Sequence, residues 1–508
     1  METSHKKTEW IYVAVMMVIA SGLCFFELTR NSLGLDEVSS IVISQNWQSM
    51  LHILWTKEGN MWLYYLLLHF WEYLGTGEFV IRSLSAIIAV LTVPAFYLFA
   101  QRLSGVRSAK IATPLFILSL YFVFYGQFAR SYALSLLLIT LSSYFFLRII
   151  EKQSEKKYLF WYALTTSLVF YSHILGLLVL MTQYSYFLFF PRHIPWKKFA
   201  ITWGAIIVSI LPLFFSQGFR GGHQLDWLAK PLPIDLPFGI VMLAGDSVFT
   251  AVLAGVLILF FVWKKRETLF KKTQESFSIV WLLMWAGFPI IFSFLFSTFV
   301  KPIYQPQYFN ACLPAFILLV VIALEELKKK KVIYFSLLIL VFFFSGLRIF
   351  FWYSGANHYL SQYLVIENTR VDDWRGAADY IVTNGKNTDA VIFFSYYIRR
   401  PFLYYYNTYP TKNLPTPVEI ASDSYDLGGG SKIPDPNNQL LNMLHNQYSR
   451  VWLVLFDNEL STLGRQGQWH DIEQQLGNNY SLEKVTVIRH ITIKLWERKT
   501  KFFAEATN

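Results

Sequence analysis

The stretch Leu33-Gly34-Leu35-Asp36-Glu37-Val38-Ser39-Ser40 puts two adjacent carboxylates immediately after the first long apolar run of a 508-residue chain. Ionisable groups beside a membrane core are costly to keep, so they are functional candidates by default. A carboxylate here can take a proton from a hydroxyl. It can also do something plainer: Asp36 can cap the helix that follows, with Glu37 favouring the helix dipole. The residues alone leave these two readings even. Further polar residues recur where later apolar runs end: Glu58; Gln127, Arg130 and Tyr132; His173; Arg220, His223 and Asp226; Lys301, Tyr304, Gln307 and Tyr308. Together they mix carboxylates and cations on one face of an apolar bundle. Cations suit the phosphate head of a lipid, and a carboxylate suits an acceptor hydroxyl. Each has a structural alternative. Arg130 and Arg82 are placed to snorkel, His173 can be a hydrogen-bonded bundle histidine, and Glu58 can pair with Lys57. Glu58 with His223 supplies two metal-ligand types, which is fewer than define a metal site.

The elements that must position these residues are apolar helices. Hydrophobic residues make up 54% of the chain and charged residues only 15%, a balance that points to many membrane spans. Uncharged runs predict eleven: 10–27, 79–101, 111–127, 131–147, 158–172, 174–190, 199–217, 238–263, 277–299, 306–324 and 332–353. With the N-terminus inside, the inward loops hold 19 Lys+Arg against seven on the other side, in agreement with the positive-inside rule. The run 61–75 is short for a bilayer and would invert every later loop if it crossed. It reads as an interfacial or re-entrant helix, and 36–55 as a helix lying on the membrane surface. The net charge of +11 belongs to the membrane part, because residues 348–508 carry 16 Lys+Arg and 16 Asp+Glu. Orientation explains that excess, and no nucleic-acid partner is implied. Cys24 and Cys312 sit in apolar runs and imply no disulfide framework. The apolar run from Trp10 to Phe26 lacks a small-residue cleavage site and reads as a retained first helix.

After Tyr353 the composition changes to that of a soluble α/β domain. A helix is predicted from Asp372 to about Asn384, buried strands at 390–394 and 451–456, and a Pro/Gly/Asn-rich loop over 407–438. A helix at 471–476 and strands at 483–489 and 490–497 close the domain. The predicted architecture is an all-α polytopic membrane bundle, 1–353, followed by an extracytoplasmic α/β domain, 354–508.

The run Glu58-Gly59-Asn60-Met61-Trp62-Leu63-Tyr64-Tyr65-Leu66-Leu67-Leu68-His69-Phe70-Trp71, followed by Glu78-Phe79-Val80-Ile81-Arg82-Ser83-Leu84-Ser85, resembles family 39-type glycosyltransferases of the GT-C superfamily. Protein O-mannosyltransferases and the lipid A aminoarabinose transferase are relatives. Asp36-Glu37, Ala129-Arg130-Ser131-Tyr132-Ala133-Leu134 and Tyr171-Ser172-His173 match the same pattern, and the resemblance covers about 30–320. It implies inverting transfer of a sugar from a polyprenyl-phosphate donor to a hydroxyl of a lipid, polysaccharide or protein acceptor. It also implies a multi-pass enzyme of the plasma membrane, and the odd number of spans with the N-terminus inside places the tail outside. Asp36 matches the family's catalytic aspartate and Glu37 its partner. Arg130 is implied as a phosphate ligand, with Lys57 or Arg220 as further cations, and Tyr132, His173 and Tyr308 as donor-site residues. Glu58 matches an acidic position of the second first-loop motif, and His223 lies in the loop where a relative has a metal-binding histidine, so a divalent ion is a possible cofactor. The chain departs from the pattern at Phe128, where an acidic residue is usual. It also departs at Asn60-Met61-Trp62, where His-Pro-Pro is familiar, and at Gln307, where an arginine commonly precedes the tyrosine. The rival reading is a lipid or glycolipid flippase, for which internal repeats and charges near the midplane are expected. A ligand receptor anchored by the spans is a third reading, but eleven spans exceed what anchoring needs.

Overall fold

The computed structural model describes residues 2–152, 155–190, 196–216, 228, 230–245, 247–271, 273–354, 372–394, 398–410, 414–418, 444–456 and 468–499. The chain divides into two compact units. One comprises residues 1–28 and 43–368, the other 29–42 and 369–508. The stretch that carries Asp36 therefore groups with the C-terminal sheet rather than with the helices that flank it in sequence.

The first unit is a helical bundle. Among the described residues its helices are α1 (Glu2–Phe25), α3 (Trp47–Thr56), α4 (Trp62–Trp71), α5 (Glu78–Ile117), α6 (Leu120–Gly126), α7 (Tyr132–Lys152), α8 (Lys156–Ser172), α9 (Gly176–Gln183), α10 (Ser185–Phe189) and α11 (Trp196–Phe215). They continue as α12 (Asp235–Leu243), α13 (Val248–Leu269), α14 (Gln274–Phe299), α15 (Leu313–Glu325) and α16 (Lys331–Ser354); α2 (Leu35–Ser44) bridges the two units in sequence. Eight described helices are long and apolar enough to cross a membrane.

The bundle shows apolar side chains outward and small polar ones inward. Val18, Leu259 and Val332 are exposed, while Ser142, Thr166 and Gln183 are buried and bonded to one another and to Tyr162. That polarity suits a hydrocarbon surrounding, in which interhelical hydrogen bonds and small-residue packing hold helices together. Gly126 shows the second device: a Cβ there would meet Cys24 Sγ at 2.9 Å and Ala89 Cβ at 3.1 Å.

The sequence predicts an inward loop over 102–110 between two spans. The structure breaks α5 inside that stretch, at Gly105, where two helical segments meet at a kink. Gly105 has φ of 86°, a conformation that costs glycine little and other residues much, so the chain reverses there without a loop. At the other end, α4 has ten residues, about 15 Å of helix, or half the hydrocarbon thickness of a bilayer.

The second unit holds a five-stranded sheet: β1 (Asp389–Phe393), β2 (Thr416–Pro417), β3 (Arg450–Phe456), β4 (Tyr480–Ile488) and β5 (Ile491–Arg498), in the order β2-β1-β3-β5-β4. β1 pairs in parallel with β2 and β3, while β5 runs antiparallel to β3 and β4. Helices α17 (Trp374–Asn384), α18 (Arg399–Tyr406) and α19 (Gln468–Asn479) belong to the same unit. The sequence missed α18, because its Tyr-rich run carries no clear helical period of apolar residues. Asp373 caps α17 by accepting from Gly376 N at 2.9 Å. The fully buried Asp389 takes both arms of Arg450, at 3.0 and 2.6 Å, and Trp452 Nε1 at 2.9 Å. A buried charge so completely bonded avoids the heavy cost of an unpaired one.

Candidate active site

The carboxylate pair sits in the first turn of α2, and its two members differ in surroundings. Gly34 precedes the helix as its N-cap. Glu37 lies three residues on, is buried, and accepts the Gly34 N–H at 3.0 Å. This is the return half of a capping box, the bond an acidic residue at that position commonly makes. Asp36 is exposed. Ser40 Oγ donates to the Asp36 main-chain oxygen at 3.0 Å, one turn along the helix. The plain reading of Asp36 as the N-cap is therefore not what this helix uses: Gly34 and Glu37 supply the cap, and the Asp36 side chain faces outward.

In the helical bundle, four of the sequence-selected residues converge. The ring of His173 lies 4.8 Å from Tyr308 and 5.8 Å from Tyr132, and Tyr132 lies 6.5 Å from Tyr308, centroid to centroid. Arg130 sits two residues before Tyr132, and its Nη1 donates to Tyr65 Oη at 3.2 Å. His173 stands in extended backbone where α8 ends. Among the described residues its buried Nε2 has no hydrogen-bond partner, and neither do Ser131 Oγ and Asn310 Oδ1, near in sequence to Tyr132 and Tyr308. Asn310 Nδ2 donates to the Tyr132 carbonyl at 3.2 Å, which ties the short 3₁₀ turn at Pro306–Cys312 to the start of α7. Buried polar atoms without partners are uncommon and call for an explanation, and a ligand that supplies the missing partners is one.

Glu58 joins this cluster indirectly. Its Oε1 accepts the Asn60 N–H at 3.1 Å, and Asn60 Oδ1 accepts the Ile174 N–H at 3.0 Å, next to His173. Between Asn60 and α4, Met61 has φ of 64°, in the left-handed region. Non-glycine residues held there carry backbone strain, which proteins retain where neighbouring contacts dictate the conformation. Trp62 Nε1 donates back to the Glu58 carbonyl at 3.0 Å, which closes the turn.

Other candidates have structural work. Gln127, considered beside Arg130, spends its amide on the end of α1 and on α16: Nε2 donates to the Phe26 carbonyl at 2.9 Å and Oε1 accepts from Trp352 Nε1 at 3.2 Å. Arg82 is buried and donates to the Leu28 carbonyl at 3.0 Å. Arg220 and His223 lie outside the described residues, as does Asp226. Among the described residues no group of three His, Cys, Asp or Glu converges to hold a metal ion. Glu58 alone, with one oxygen on a backbone amide, does not make such a site.

Sequence reasoning missed three residues. Tyr65 is the hydroxyl partner of Arg130; it lies within the run quoted for the family resemblance, beside an equally plausible Tyr64. Asn60 and Asn310 link separate loops, and their only signal was an amide side chain at the threshold of an apolar run.

A helical bundle with a small C-terminal sheet is a fold that solved structures of low sequence identity share with this chain. The chain is similar to ArnT from Cupriavidus metallidurans in its apo state, with a TM-score of 0.63 at 14% identity over 96% of this chain and 98% of that one. The same ArnT bound to undecaprenyl phosphate matches with a TM-score of 0.60 at 12% identity over the same shares. The archaeal oligosaccharyltransferase AglB from Archaeoglobus fulgidus, in complex with an inhibitory peptide and a dolichol-phosphate, aligns at 0.49 with 11% identity, over 96% of this chain and 74% of that one. No protein-family model and no curated relative matches the sequence.

Proposed function

We propose that this protein is a membrane glycosyltransferase that moves a sugar from a polyprenyl-phosphate donor to an acceptor hydroxyl at the outer face of the membrane. The observation that carries the reading is the cluster of Arg130, Tyr65, Tyr132, His173 and Tyr308 within a bundle that has the ArnT fold. The Arg130 guanidinium binds the lipid phosphate, where its planar fork can engage two oxygens at once. The aromatic wall of Tyr132, His173 and Tyr308 flanks the donor, and the unpartnered His173 Nε2 is available to its polar groups.

In the reaction, the acceptor oxygen attacks the anomeric carbon as the carbon–oxygen bond to the phosphate breaks. The lipid phosphate leaves with that electron pair, and the acceptor proton passes to the Asp36 carboxylate. One displacement inverts the anomeric centre. Asp36 is favoured over Glu37 as the base because Glu37 is committed to the Gly34 amide. A requirement for a divalent ion belongs to the same proposal, and loss of transfer on chelation, restored by added metal, checks it.

The predicted eleven spans meet a condition that the second unit sets. Residues 29–42 and 369–508 form one compact unit and must lie on the same side of a membrane. Eleven spans without 61–75 place ten between them, which meets that condition. Counting 61–75 as a twelfth breaks it. This favours α4 as an interfacial or re-entrant helix. With Lys6 and Lys7 taken as inside, the positive-inside rule supports reading the unit as outside.

The test is transfer of label from undecaprenyl-phosphate sugars by the purified protein, run beside lipid movement across proteoliposomes. Transfer without movement supports the enzyme; movement without transfer supports a flippase.

A further inference from the structure

We infer that the C-terminal α/β domain is a positioning device for the Asp36 loop. The inference rests on the proposal that Asp36 is the base. Residues 29–33 lead into α2 and have no regular structure of their own, so something else must hold them. The bonds that do so come from side chains and backbone more than 300 residues away in sequence. Ser32 Oγ donates to the Asp372 carbonyl at 2.6 Å and accepts the Trp374 N–H at 3.1 Å. The Leu33 N–H donates to Tyr405 Oη at 2.5 Å. Arg375 donates through Nη2 to the Thr29 carbonyl at 2.9 Å, and its guanidinium lies 5.8 Å from the Tyr405 ring. Arg489, at the β4–β5 turn, donates to Asn31 Oδ1 at 3.4 Å.

The Leu33–Tyr405 and Trp374–Ser32 bonds are buried and rooted in the domain core, while those of Arg375 and Arg489 lie at the surface. Ser32, Leu33, Trp374 and Tyr405 are all buried. The Trp374 ring lies 5.7 Å from Phe456 at the end of β3, and Trp374 begins the α17 helix that Asp373 caps. The chain from the sheet therefore runs β3, Trp374, Ser32, Leu33 and then Gly34, the N-cap of α2. Asp36 stands two residues beyond. A cap residue determines the direction in which a helix starts, so fixing 32–34 fixes the orientation of the first turn and of its exposed carboxylate. An isolated ten-residue helix is marginal in water and would not hold that geometry unaided. The tail thus serves the reaction through Asp36 without itself touching substrate. Ser32 and Tyr405 are positioning residues.

The experiment uses the full-length protein in detergent, with Tyr405→Phe, Ser32→Ala, Ser32→Thr, Asp36→Asn and the double variant Tyr405→Phe/Asp36→Asn. Two readouts are taken: amide hydrogen exchange over 29–40, and steady-state transfer from an undecaprenyl-phosphate sugar that the wild type turns over. Tyr405→Phe keeps the ring and removes the acceptor of a buried amide, so exchange at Leu33 and its neighbours should rise at least about fivefold. Its kcat should fall about tenfold with the donor KM unchanged, because displacing a reacting group by ~1 Å costs up to ~10²-fold. Ser32→Ala should behave alike, and Ser32→Thr, which keeps the hydroxyl, should restore both readouts. The double variant should be no slower than Asp36→Asn alone. Unchanged exchange in both Tyr405→Phe and Ser32→Ala overturns the clamp. So do faster exchange with full kcat in an enzyme that needs Asp36, and losses that multiply in the double variant. Full transfer by Asp36→Asn overturns the base reading instead, and the exchange data distinguish that failure from a failure of the clamp.

Discussion

The helical bundle and the sheet-bearing unit solve opposite problems. In the bundle, large apolar side chains such as Phe299 and Val332 face outward and hydroxyls face in; in the second unit the apolar residues of β1 and β3 are buried. One is built for hydrocarbon and the other for water. The proposed chemistry divides along the same line. The proposed phosphate ligand, Arg130, belongs to the bundle with its aromatic wall. The proposed base, Asp36, belongs to the unit with the sheet. A cation that grips a lipid phosphate is well placed among membrane helices. A carboxylate that must ionise and accept a proton is better kept in a water-facing unit, since burial disfavours its charged form. Donor binding and proton removal should accordingly be separable by mutation.

The largest effect is expected at Asp36. Asp36→Asn keeps size and polarity but cannot take the proton, so turnover should fall by about 10²–10⁴-fold while donor affinity survives. Transfer rates and undecaprenyl phosphate binding, measured on the same folded protein, check this. Near-normal transfer by Asp36→Asn would reject Asp36 as the base.

Arg130→Lys should give the complementary result. The lysine keeps the charge but loses the two-pronged geometry and the Tyr65 contact, so the donor KM should rise by about tenfold, as for the loss of a ~1.5 kcal/mol charged hydrogen bond, with kcat less affected. A donor KM equal to wild type would remove Arg130 from the phosphate site.

A smaller effect is expected at Glu37. Replacing it with Ala leaves the Gly34 amide unpaired and should cost about 0.5–2 kcal/mol of local stability. Thermal unfolding measures it, and Glu37→Gln, which retains an acceptor, should recover most of the loss. If Glu37→Gln proves as inactive as Asp36→Asn while remaining stable, the division of labour between the two carboxylates fails.

The smallest effect concerns pH. Glu72, in the single turn after α4, is half-buried. Burial raises its carboxyl to about 7, against the opposing influence of the Ser44 hydroxyl and His69. A folded-state value above the unfolded one means that the native protein binds the proton more tightly. Its stabilising contribution is full below the ordinary carboxylate range and is lost as pH rises through about 7. Melting temperature should drift down across that window, and Glu72→Gln should flatten the drift. An unchanged profile in the variant would assign the pH dependence elsewhere.

Much of this protein follows from its sequence alone. Apolar runs of bilayer length, a charge bias between alternate loops, and alternation in the tail depend on local composition and period, and each can be read without knowing what touches what. The candidate residues Arg130, Tyr132, His173 and Tyr308 were legible for the same reason: polar groups at the ends of apolar runs stand out. What they touch was not legible, because the Arg130–Tyr65 bond and the His173–Tyr308 contact join residues 65 and 135 positions apart. The break of α5 at Gly105 falls inside the predicted loop 102–110, but a single glycine in a charged segment reads equally as loop or kink, so its form was hidden. Only the tertiary structure showed that Asp36 and Glu37 differ in surroundings, with Glu37 buried against Gly34 and Asp36 exposed. It also decided that residues 29–42 belong with the tail. Local pattern records which face of an element is apolar. It does not record which distant surface will satisfy the Leu33 amide, and here that surface is Tyr405, 372 residues away.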